Sequence, residues 1–100
     1  MLSKDAVHEI IFQALKNVND ERDPDEQIDI DSTTILFGSE AVLDSLSLVS
    51  VIVDVEAAVS QFSGRDVVLT DDRAMSQEVS PFSDVSSLTA YILLLLSEPV

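Results

Sequence analysis

Two runs of apolar residues at helical spacing, each closed off by a breaker, set the fold class of this chain. Val7, Ile10, Ile11, Ala14, Leu15 and Val18 recur at intervals of three and four, and so do Leu48, Val51, Ile52, Val55 and Val59. Residues at that spacing share one side of a helix, and burying the stripe requires another helix to face it. Ser3 stands ready to cap the first run, Asn19-Asp20 ends it near Val18, and Pro24 opposes its continuation. Asp44 stands ready to cap the second, which should run from about Ser45 to Phe62 before Gly64 breaks it. A last helix should start at Ser83 or Asp84, with Val85, Leu88, Tyr91, Ile92 and Leu95 inward. Leu93, Leu94 and Leu96 make it apolar on more than one side. A short helix is expected over Asp71–Glu78, capped by Thr70 and ended by Pro81. The expectation is all-α: a four-helix bundle of three main helices and one short helix. Two glycines, no tryptophan and few aromatics speak against a β-barrel or sandwich. At 100 residues the chain reads as one domain, its core running from about 3 to 97.

Residues 20–43 form a long connection without a period of its own. A loop of that length in a small domain is usually functional. Ile28, Ile30 and Ile35-Leu36-Phe37 offer apolar anchors along it, with Gly38 as a turn. After Gly64, Val67-Val68-Leu69 reads as an apolar connector.

The balance of charge narrows the partners. Five basic against nineteen acidic residues give a formal net charge of −14. Such a surface repels nucleic acid and anionic membranes, and steers basic partners towards itself. A monomer is expected. Much of the acid lies in Asp20, Glu21, Asp23, Asp25, Glu26, Asp29 and Asp31, a run that reads as a solvated loop. No cysteine is present, which excludes disulfides, thiolate metal sites and cysteine nucleophiles. Met1-Leu2-Ser3-Lys4-Asp5 lacks the basic start and apolar stretch of a signal peptide. Ile92-Leu93-Leu94-Leu95-Leu96 is too short to span a bilayer. A cytoplasmic chain without stable membrane insertion is the expectation.

Little here supports intrinsic catalysis. A serine nucleophile needs an oriented base beside it, yet the only histidine, His8, reads as a helix-surface residue. The Gly-x-Ser-x-Gly elbow is missing, and two isolated glycines make no phosphate-cradling loop. Asp23-Pro24-Asp25-Glu26 and Asp29-Ile30-Asp31 faintly suggest calcium, but no EF-hand register is present. Asp71-Asp72 reads as the acidic first turn of a helix.

What remains is Val42-Leu43-Asp44-Ser45-Leu46, a serine at the head of the second helix. Unpaired N–H groups and the positive end of the helix dipole favour a phosphate there. The outer face of that helix carries Leu46, Ser50, Val53 and Ala57, with Ser47, Asp54 and Glu56 at its margins. Leu46 and Val53, apolar and in line beside Ser45, read as a docking strip.

Taken in order, Ile35-Leu36-Phe37-Gly38, Leu43-Asp44-Ser45-Leu46, the Leu48–Val59 helix, the Thr70–Glu78 segment and Phe82-Ser83-Asp84-Val85-Ser86-Ser87-Leu88 before Tyr91-Ile92 resemble an acyl carrier protein. The resemblance covers about Val7 to Ile92. It implies that Ser45 carries a covalent 4'-phosphopantetheine, transferred from coenzyme A by a phosphopantetheinyl transferase. The arm's thiol would hold acyl or aminoacyl groups as thioesters and deliver them to loading and transferring enzymes. Asp44 carries over as the acid before the modified serine. Leu46, Ser50, Val53, Asp54 and Glu56 would meet the partner enzymes. Fatty-acid-synthesis carriers usually have glycine where this chain has Leu43, and acid where it has Ser47 and Ser50. The pattern leans towards carriers of dedicated pathways. Two other readings compete. One is an unmodified acidic adaptor that uses the same helix face, and the other a small hydrolase using Ser45 or an acidic pair.

Overall fold

The computed structural model describes residues 3–37, 43–69 and 81–98, Ser45 by its backbone alone. Within them the protein is all-α, with three helices: α1 (Lys4–Asp20), α2 (Ser45–Ser63) and α3 (Val85–Ser97). A 3-10 turn, Pro24–Glu26, interrupts the first connection. The helix expected over Asp71–Glu78 and the turn expected at Gly38 lie outside the described residues.

Each helix starts where its cap dictates. Ser3 accepts from the N–H of Ala6 through its hydroxyl, Asp44 from the N–H of Ser47, and Asp84 from the N–H of Ser87. A side-chain oxygen at that position satisfies one of the orphan amides of the first turn. The last helix is therefore capped by Asp84, not Ser83. α1 and α2 run slightly past the expected Val18 and Phe62. Gly64 ends α2 at φ +72°, a left-handed conformation that costs glycine nothing, and its N–H closes onto the Ser60 carbonyl.

α1 sits centrally and packs against both α2 and α3. Val7, Ile11 and Leu15 from α1, Val51, Val55 and Val59 from α2, and Val85, Leu88 and Ile92 from α3 are fully buried in one core. The edges of each stripe differ from the periodic expectation. Ile10, Val18, Leu48 and Leu95 are only partly buried, packed against the core margin. On α3 it is Leu96, not Leu95, that is buried. The physical reason is that a helix buries only the centre of its apolar stripe against its neighbours, so positions one step off that line reach the rim. Leu94 stays exposed, and Leu93 is half-buried.

Over Leu46–Ser63, α2 is long and apolar enough to cross a membrane by length and composition. Of that stretch 22% is buried, namely Val51, Ile52, Val55 and Val59, and Asp54 and Glu56 lie within it.

The first connection is pinned by polar bonds as much as by apolar anchors. Asn19 at the end of α1 accepts from the N–H of Ile28 at 2.7 Å and donates to its carbonyl at 3.0 Å. Buried Thr34 donates its hydroxyl to the Asp29 carbonyl and accepts from the N–H of Asp31. Ile28 and Leu36 are buried as expected, but Phe37 points to solvent and is not an anchor. The loop then docks on the start of α3. Thr34 and Ser32 carbonyls accept from the N–H groups of Val85 and Ser86, and the Leu36 N–H donates to the Ser83 carbonyl. Ile35 and Asp84 form an isolated antiparallel bridge. After α2, the connector alternates: Val67 and Leu69 are buried while Val68 is exposed.

Candidate functional site

The loop leading to Ser45 ends on Leu43, whose side chain is buried in the core. That residue anchors the chain one step before the cap. Asp44 then adopts an extended conformation, and Ser45 is the first residue of α2. The Asp44 carboxylate accepts from the Ser47 N–H at 2.7 Å. This bond, and next the Ser47 hydroxyl, hold the Asp44 carboxyl below its ordinary value, with Arg22 adding a weaker attraction. Asp44 is thus a charged, exposed cap at neutral pH. At the start of α3 the loop carbonyls of Thr34 and Ser32 occupy the first two amides.

Leu46 follows and is 82% exposed, among the most open of the large apolar side chains described. Ser50, Val53, Asp54 and Ala57 are exposed on the same side of α2. Leu46, Ser50, Val53 and Asp54 therefore share an open face with Asp44 at its head. Glu56 does not join them as a free carboxylate. It is half-buried, and its Oε2 accepts from the N–H of Leu69 at 2.7 Å. Its role in the structure is to hold the connector after α2.

Two apolar residues escaped the reading of the sequence. Val49 is 57% exposed and Phe62 is 67% exposed. Val49 lies between the inward and outward stripes, and Phe62 stands in the last turn, so periodicity carries no clear sign for either. The fact that a phenylalanine stood off the Val51–Val59 stripe was the one available hint.

His8 is also placed differently from a helix-surface residue. It is half-buried, and its ring stacks on Phe12 with centroids 5.6 Å apart. Its Nε2 is buried with no hydrogen-bond partner among the described residues. The Asp29–Asp31 segment is a turn: the Asp31 carboxylate accepts from the hydroxyl of Thr33 at 2.6 Å and from its N–H at 2.8 Å. These bonds hold the Asp31 carboxyl below its ordinary value, the hydroxyl most strongly. Among the described residues no group of three or more His, Asp or Glu side chains is arranged to hold a metal ion.

Compared with protein families, with curated sequences and with solved structures, the chain gives no match.

Proposed function

We propose that this chain is a non-catalytic carrier whose Ser45 takes a 4'-phosphopantetheine arm from coenzyme A and presents acyl or aminoacyl thioesters to partner enzymes. The observation that carries the reading is the start of α2: Ser45 is its first residue, Asp44 caps it, and Leu46 beside it lies open to solvent. A phosphodiester joined at that position would meet the positive end of a helix dipole. The arm would supply the thiol that a chain without cysteine lacks. This chain's residues would do the rest. Asp44 holds the first turn in shape through the Ser47 N–H. Leu46 and Val53, with Ser50 and Asp54 between and beside them, offer the face on which a phosphopantetheinyl transferase and the loading enzymes would dock.

The finer architecture belongs to the same proposal: a four-helix bundle in which a short helix over Asp71–Glu78 completes the three main ones. So do the setting and the company: a cytoplasmic monomer with no nucleic acid among its partners and no stable membrane insertion. Leu43, in place of glycine, points away from central fatty-acid synthesis towards a dedicated pathway.

Incubation with coenzyme A and a broad-specificity phosphopantetheinyl transferase tests the reading by intact mass. A gain of one phosphopantetheine that disappears in Ser45→Ala is expected. No gain, or a gain that survives Ser45→Ala, removes the assignment and leaves the unmodified adaptor, in which Ser45 only opens the helix.

A further inference from the structure

A groove runs between α1 and α2 on the side away from the core. Two depressions of about 330 and 360 Å³ lie in line along it and share Asn17 and Asp54 as a common wall. From Val49 to Phe62 it follows α2 for about 20 Å, between three and four turns of helix. Its apolar lining comes from Ile10, Ala14 and Val18 on α1 and from Val49, Val53 and Phe62 on α2. The three α2 side chains are all more than half exposed. Carboxylates mark its length: Glu21 lines one depression, Glu9 the other, and Asp54 both. No lysine or arginine lines either one.

An apolar trough of this length with carboxylates and no cation selects its occupant by charge. A second copy of the chain brings a further net charge of −14 and is repelled. A fatty-acid carboxylate or an anionic lipid surface meets the same repulsion. A helix with an apolar stripe at i, i+4 and i+7 spacing and lysine or arginine on its shoulders satisfies both the trough and the rim. We infer that the α1–α2 groove docks one basic amphipathic helix of a partner protein. The groove shares Ser50, Val53 and Asp54 with the face proposed for the transferase, but the inference does not need the arm: neither Asp44, Ser45 nor Leu46 lines the groove, and the unmodified chain presents it equally.

The test uses the full chain, isotope-labelled, as Ser45→Ala so that no arm is present. The probe is a synthetic helical peptide of about four turns with leucine at i, i+3, i+4 and i+7 spacing and lysine on the flanks. Its control is a scramble of the same composition that destroys the stripe. Amide shifts should concentrate on Ile10, Gln13, Asn17, Val49, Val53 and Phe62. The scramble should bind about tenfold more weakly, and so should Phe62→Ser, since each removes apolar burial from the contact. Asp54→Asn should weaken binding and reduce its dependence on salt. Phe62 is open to solvent, so its variant should melt like the parent; should it not, Val49→Ser gives the same readout. Equal binding of the scramble, shifts gathered on residues 20–31, or equal shifts with neutral phosphatidylcholine vesicles would each overturn the inference.

Discussion

The backbone N–H of Leu69 donates to Oε2 of Glu56 at 2.7 Å, tying the connector after Gly64 to the middle of α2. Leu69 is fully buried. A hydrogen bond from a buried amide to a charged acceptor is among the stronger single contacts, and an orphaned amide there is costly. Glu56→Ala should therefore lower stability by about 1–3 kcal/mol in urea unfolding. Glu56→Gln, which keeps an acceptor oxygen, should recover much of it. Equal stability of all three proteins would mean that the bond contributes nothing.

Acid should weaken this protein through two carboxylates, Asp44 and Asp31. Both bind a proton more weakly when folded than at the ordinary value of 3.8, so their stabilisation is present above that value. It is lost as pH falls through their depressed folded values. Asp44→Asn keeps a capping oxygen but no charge. Its stability should fall less steeply than the parent's below pH 4, and parallel acid limbs would rule out a role for the Asp44 charge.

Val53 should tolerate a charge. At 51% exposure on the outer face of α2, Val53→Asp should leave helical content and melting nearly unchanged. It should slow modification at Ser45 by about tenfold if the transferase docks on that face. Loss of cooperative unfolding in this variant would contradict its outward placement.

Burial should separate two leucines. Leu88 is fully enclosed, and Leu88→Ala should cost about 2–5 kcal/mol. Leu46 is open, and Leu46→Ala should stay within about 0.5 kcal/mol of the parent. Comparable losses in the two variants would mean that Leu46 is held by contacts its exposure does not reveal.

Salt should stabilise the chain. A net charge of −14 opposes compaction, and screening shortens the reach of that repulsion to about 8 Å at physiological ionic strength. The melting temperature should rise between low salt and about 0.15 M sodium chloride. A flat response would show that the acids are too well spread to matter.

Helix identity was legible because it depends on neighbours along the chain. Ser3, Asp44 and Asp84 cap their own amides within three residues, and Gly64 supplies its own left-handed turn. The buried stripe of α2 could be read in the same way, since Val51, Val55 and Val59 need only share a side. So could the outward placement of Leu46, Ser50 and Val53 beside Ser45.

Other features arise from contacts between distant segments, and no local pattern encodes them. Asn19 clamps Ile28, and the Thr34 and Ser32 carbonyls take the first amides of α3, because backbone groups pair with whatever the fold brings near. Glu56, placed by spacing at the edge of a docking face, is drawn to the Leu69 amide by that same demand. Leu96 replaces Leu95 in the core, and Phe37 turns out to solvent, because helix packing and loop docking decide which side of an apolar stretch is covered. The groove between α1 and α2 exists only where two helices lie side by side. The sequence by itself determined where the first two helices begin, the central line of each buried stripe and which serine heads the second. The tertiary structure alone decided which polar groups are already taken and which apolar ones are left open, since both depend on partners far away in the chain.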